Sequence, residues 1–109
     1  MLGERRQNLS GSIRTGQNVF SWPPQVSVVI PAYNVADLIG QTLESVFAQR
    51  FRDYEVIVVN DGSPDTPELE RELAPHFQNI IYIKQPSLGA GAARNTAIQH
   101  ARGEIIAFL

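Results

Sequence analysis

The chain has 109 residues, a length for one compact unit, since domains usually run about 100–200 residues. Its hydrophobic share of 43% and charged share of 18% are ordinary for a globular domain, and a net charge of −2 argues against a nucleic-acid or acidic-membrane surface, which needs clustered Lys and Arg. The lack of cysteine excludes a disulfide scaffold, a Cys nucleophile and a thiolate zinc site, and it fits a reducing compartment.

Met1 to Pro24 lacks the apolar run of a signal peptide, and Gly, Ser, Asn, Gln and Arg dominate it. A flexible leader over residues 1–24, closed by Pro23-Pro24, is the expectation. The alternative is an arm with Val19, Phe20 and Trp22 tucked against the body. No stretch reaches the roughly 20 apolar residues that a bilayer span needs. A cytoplasmic protein is therefore expected.

From Gln25 onward, strands and helices alternate. Val26 to Ile30 is short, β-branched and ended by Pro31, as a buried strand should be. Residues 35–49 place Leu38, Thr42, Leu43, Val46 and Phe47 on one helical face. Asn34 and Asp37 stand at the spacing of an N-cap and its third residue, a variant capping box. Tyr54 to Val59 is a second apolar strand, interrupted only by Glu55. Thr66 offers a cap with Pro67 behind it, opening a helix near 67–75. Ile80 to Lys84 is a third strand, and a helix near 90–101 follows, with Gly103 in its C-cap region. Residues 105–109 begin a fourth strand, expected to carry exposed apolar surface.

Apolar strands joined by helices imply an α/β fold: a Rossmann-like parallel sheet with helices on both faces. Ligands of such sheets lie beyond the carboxyl ends of the strands, so the chemistry is sought after Ile30, Val59, Lys84 and Leu109. After the first strand, Tyr33 can offer a ring face to a planar base. Alternatively, it is a packed loop residue beside a capping Asn34. After the second, Asp61 can accept a hydrogen bond from a ring N–H, and Gly62 permits the turn that points it inward. The alternative there is an Asp-Gly turn capped by Ser63.

After the third strand comes Leu88-Gly89-Ala90-Gly91-Ala92-Ala93-Arg94-Asn95. Its glycines allow close backbone approach, a helix N-terminus presents N–H groups to an anion, and Arg94 can meet a diphosphate or a base carbonyl. Ala90, Ala93, Ala97 and Ala101 form a small-residue stripe suited to packing on the sheet. Gly89 and Gly91 match the first two glycines of a dinucleotide fingerprint, but Arg94 occupies the third position, where a bulky cation spoils helix–strand packing.

Taken in order, these strings resemble family 2 glycosyltransferases of the GT-A fold. Val26 to Asn34 is similar to the family's opening strand, Glu55 to Ser63 to its aspartate loop, and Gly89 to Asn95 to its third motif. Ala101 to Leu109 is similar to the run that leads into its Asp-x-Asp. The resemblance covers Val26 to Leu109 and implies the N-terminal half of a GT-A fold. It further implies an enzyme moving a sugar from a nucleotide-diphosphate sugar, a UDP-sugar above all, to an acceptor hydroxyl with inversion, in glycan biosynthesis. It assigns nucleotide binding to Pro31, Ala32, Tyr33, Asp61, Gly89 and Arg94. It also implies a divalent cation, Mg²⁺ or Mn²⁺, whose ligands are expected past Leu109, so this chain alone is expected to be inactive. Ser87 stands where the family often has Asn, and Val35-Ala36 where an acidic residue commonly follows.

His76 and His100 lie in different elements, which argues against a shared metal site, and no G-x-S-x-G elbow supports a Ser-His-Asp triad. Two other readings remain at this level: a non-catalytic nucleotide-binding or interaction module, and a nicotinamide-dependent oxidoreductase, which Arg94 disfavours.

Overall fold

The computed structural model describes residues 23–109. The leader expected over 1–24 lies outside the described residues except for Pro23 and Pro24, and so does the arm of Val19, Phe20 and Trp22.

Four parallel strands form one sheet in the order β3-β2-β1-β4. They are β1 (Val26–Ala32), β2 (Tyr54–Asp61), β3 (Ile81–Gln85) and β4 (Ile105–Phe108). Helix α1 (Ala36–Phe47) joins β1 to β2, and α2 (Thr66–Leu73) with a 3₁₀ helix (Ala74–Asn79) joins β2 to β3. Helix α3 (Ala90–His100) joins β3 to β4.

Strand order dictates which face each helix covers. From β1 to β3 the chain steps outward in one direction, so right-handed crossovers put α1 and α2 on the same face. It then returns past β1 to β4, so the same handedness puts α3 on the opposite face.

The two cores follow this division. Ile30, Val56 and Val58 pack with Ile39, Leu43 and Val46 of α1 and Leu69 and Leu73 of α2. Val29, Ile57 and Val59 pack with Ala93 and Ala97 of α3. Both alanines are buried, so the small-residue stripe lets α3 lie close to the sheet. β2, covered on both faces, is buried along its whole length. β4 stands at the sheet edge and leaves Ile105, Phe108 and Leu109 exposed.

Several local details differ from the sequence reading. Asn34 does not cap α1: the N-cap is Val35, and Asn34 sits at φ 56° in the left-handed region, which Asn tolerates. The Ala36 N–H, left without an intrahelical acceptor, donates instead to Asp65 Oδ2 at 2.9 Å. Asp37 is an exposed first-turn residue. Thr66 is the first residue of α2, with Asp65 at the N-cap, and its hydroxyl donates to the Ser63 carbonyl at 2.6 Å. The expected 67–75 helix becomes α-helix to Leu73 and then 3₁₀, because Pro75 has no N–H for the α-helical bond.

Gly103 is not a cap either. Helix α3 ends at Ala101 in an extended conformation, and a Cβ on Gly103 would lie 2.6 Å from the Ser27 nitrogen. The glycine lets the chain cross close beneath β1. There its N–H donates to Ser27 Oγ at 2.8 Å, and the fully buried Glu55 accepts from Ser27 Oγ at 2.5 Å and from the Arg102 N–H at 2.7 Å.

Candidate functional site

Three of the four strand ends converge on one hollow of about 300 Å³ at the carboxyl edge of the sheet. Pro31, Ala32 and Tyr33 enter it from the end of β1, Asp61 from the end of β2, and Ser87, Gly89, Ala90 and Ala93 from the segment after β3. Of the residues singled out in the sequence, Pro31, Ala32, Tyr33, Asp61 and Gly89 are thus brought together. Arg94 lies outside this lining, with its guanidinium carbon 6.0 Å from the centre of the Phe108 ring at the end of β4.

Asp61 organises the site. It is only 6% exposed, and its carboxylate accepts three hydrogen bonds from the end of β3 and the segment after it. Oδ1 accepts from Gln85 Nε2 and from the Leu88 N–H, both at 2.9 Å, and Oδ2 from the Gly89 N–H at 3.0 Å. The Leu88 amide bond is the largest cause holding this carboxyl below its usual range, followed by Gln85, and partial desolvation opposes them. A carboxylate offers about four acceptor positions, so roughly one, on Oδ2, is left for a ligand.

Two glycines make this arrangement possible. Gly62 has φ 64°, and a Cβ there would meet the Ser87 nitrogen at 2.5 Å, so only glycine allows the Ser87 loop so near Asp61. Gly89 has φ 100° with nothing close to its missing Cβ. Its backbone conformation calls for glycine, and the open space around it leaves the backbone accessible from the hollow. Beyond it, the N–H groups of Ala90, Gly91 and Ala92 have no acceptor within α3, whose first internal bond runs from the Ala93 N–H to the Gly89 carbonyl.

Tyr33 is half exposed, and no side-chain hydrogen bond fixes its ring among the described residues. Its loop is fixed from below. The Asn34 N–H donates to Ser63 Oγ at 2.8 Å, and Ser63 Oγ in turn donates to Asp65. The Ser63 bond is the chief reason the Asp65 carboxyl titrates lower than usual. One relay therefore ties the loop after β1 to the loop after β2.

Sequence reasoning missed Gln85 and Thr96, whose hydroxyl donates to Gln85 Oε1 at 2.6 Å. Their spacing of eleven residues carries no motif; only the pairing of Gln85 with Asp61 across the sheet exposes the connection. His76 and His100 stay apart from the hollow; the His76 ring lies against Phe47 and His100 Nδ1 against the Thr96 carbonyl.

Comparison with known proteins agrees with the strand-end pattern. A family model described as glycosyl transferase family 2 matches residues 27–109. The glycosyltransferase GlyA of Streptococcus pneumoniae is 35% identical over 86 residues, which are 78% of this chain and 12% of that protein. The uncharacterized glycosyltransferase EpsJ of Bacillus subtilis is 40% identical over 87 residues, 79% of this chain and 25% of its own. Among solved structures, the mannosyltransferase PcManGT from Pyrobaculum calidifontis, in complex with GDP-Man and Mn²⁺, superimposes with a TM-score of 0.66 at 31% identity. That match covers 87% of this chain and 28% of PcManGT. The matches thus span between 12% and 28% of the length of these relatives.

Proposed function

The chain belongs to glycosyl transferase family 2, and on that premise we propose that it carries the nucleotide-binding part of an enzyme that transfers a sugar from a nucleotide-diphosphate sugar to an acceptor hydroxyl with inversion. The observation that carries the reading is the gathering of Pro31, Ala32, Tyr33, Asp61 and Gly89 around one hollow at the carboxyl edge. The half-exposed Tyr33 ring offers a stacking face to the base. The remaining acceptor position of Asp61 takes a ring N–H. Uracil presents such a group at N3 between two carbonyls, so a UDP-sugar is the favoured donor. The open N–H groups of Ala90 to Ala92 and the guanidinium of Arg94 meet the diphosphate.

A divalent cation such as Mg²⁺ or Mn²⁺ supplies Lewis acidity to a departing diphosphate. Among the described residues no three His, Asp or Glu side chains gather to hold one, so the metal does not fit them and no step through it is assigned to them. The part of the reaction that the described residues serve is donor binding. Its setting is glycan biosynthesis in the cytoplasm, where nothing oxidising would call for the cysteines this chain lacks.

The test is a titration of the chain with uridine diphosphate, followed by NMR or calorimetry. Wild type is expected to bind, and Asp61→Ala to bind more weakly; equal affinities for a folded variant and wild type would refute the role of Asp61.

A further inference from the structure

We propose that Gln85 and Thr96, neither of which lines the hollow, are positioning residues that decide which nucleobases it accepts; the inference rests on the nucleotide-binding reading above. Gln85 ends β3 directly across from Asp61 in the register of the sheet. Its amide has one donor end and one acceptor end, and the two are not interchangeable here. A carboxylate only accepts, so the nitrogen must face Asp61 Oδ1, at 2.9 Å. The oxygen then faces α3, where the Thr96 hydroxyl donates to it at 2.6 Å. Asp61 sets the orientation of the amide, and the Thr96 bond holds it in place.

The consequence is chemical. Gln85 and the Leu88 N–H fill the two lone pairs of Oδ1, and the Gly89 N–H takes one on Oδ2. The carboxylate therefore shows the hollow a single acceptor position and no proton. Uracil and guanine bring a ring N–H to that position. Cytosine and adenine bring a bare ring nitrogen beside their amino group, and its lone pair repels the carboxylate. Without the Gln85 bond, Oδ1 is freed as a second acceptor and the carboxylate is no longer held in one orientation. A carboxylate free to turn can accept from the exocyclic amino group of cytosine or adenine and face away from the bare ring nitrogen. Losing one charge-assisted hydrogen bond corresponds to about tenfold or more in an equilibrium constant, which sets the expected loss of base preference.

The experiment titrates the intact 109-residue chain with UDP, GDP, CDP and ADP, for wild type, Gln85→Leu, Thr96→Val and Thr96→Ser. Wild type is expected to favour UDP or GDP over CDP and ADP. Gln85→Leu and Thr96→Val should cut that preference about tenfold, while Thr96→Ser, which keeps the hydroxyl, should retain it. A role confined to folding would lower all four affinities together and leave the ratio unchanged. Urea melts establish that each variant is folded, and Gln85→Asn, which shortens the reach, stands in if Gln85→Leu is not. An unchanged ratio in folded variants overturns the inference and leaves the nucleotide-binding reading in place. Failure of wild type to bind any of the four overturns that reading and the inference with it.

Discussion

Gly62→Ala tests the construction of the hollow without touching any group assigned to the ligand. The residue sits at φ 64°, where an L side chain costs about 1–2 kcal/mol. The added Cβ would stand 2.5 Å from the Ser87 nitrogen, 2.9 Å from its Cβ and 3.0 Å from its Cα, none of which is the end of a flexible side chain. Reaching ordinary contact at 3.4 Å requires Ser87 to retreat by about 0.9 Å. The Leu88 and Gly89 amides follow Ser87 in sequence and lie 2.9 and 3.0 Å from Asp61, so such a retreat carries them out of hydrogen-bond range. Overpacking of this kind costs about 1–3 kcal/mol, so the whole loss is on the order of 2–5 kcal/mol. Urea denaturation measures it, and titration with uridine diphosphate should show a parallel loss of binding. Gly91→Ala is the control: it lies within α3 with open space around its missing Cβ, and it should gain up to about 1 kcal/mol. A Gly62→Ala variant within about 0.5 kcal/mol of wild type, the scatter of an ordinary surface substitution, would show that neither the positive φ nor the Ser87 contact matters.

Other outcomes follow from packing and charge. Leu43→Ala, at a fully buried position between α1 and the sheet, should cost about 2–5 kcal/mol in urea melts. The carboxyls of Asp61, Asp65 and Glu70 all titrate below their ordinary values of 3.8, 3.8 and 4.5, chiefly through bonds from the Leu88 amide, Ser63 and Tyr82 respectively. Each therefore favours folding above its ordinary value, and the contribution is lost as pH falls through the lowered folded value. Asp65→Asn should narrow its stability gap to wild type across that acid window, and a gap independent of pH would refute the assignment. Tyr82 is pushed up to about 12, mainly by burial, so its contribution holds below pH 10 and fades as pH rises toward that value. An absorbance titration of the phenolate that finds every tyrosine near 10 would contradict this.

Most of the fold was legible because it is written in local pattern. The apolar runs at Val26–Ile30 and Tyr54–Val59 are the strands of the sheet, and the expected stripe of α1 faces them through Leu43 and Val46, although Leu38 of that stripe is exposed and Ile39 is buried in its place. What was not legible depends on contacts distant in sequence. Asn34 and Asp37 have capping-box spacing, yet the Ala36 amide finds its acceptor 29 residues away in Asp65. Gly103 has the position of a helix stop, yet its missing side chain answers to Ser27, 76 residues earlier. Spacing rules read one element at a time, and these bonds exist only once two elements are adjacent.

The site divides in the same way. Tyr33, Asp61 and Gly89 could be found because each follows a strand, and a parallel sheet collects its strand ends at one edge. Gln85 and Thr96 act through Asp61, and no rule about strand ends reaches them. Their position suggests why Asp61 suits its proposed role. The three donors that hold it come from a single stretch, residues 85–89, so the same bonds that shape the loop also orient the carboxylate. A group already desolvated and aimed before a ligand arrives spends little of the binding free energy on ordering itself. Gly62 makes that preorganisation sterically possible and Gln85 gives it direction. The orientation of the Asp61 carboxylate is therefore set by the fold itself, through donors of residues 85–89.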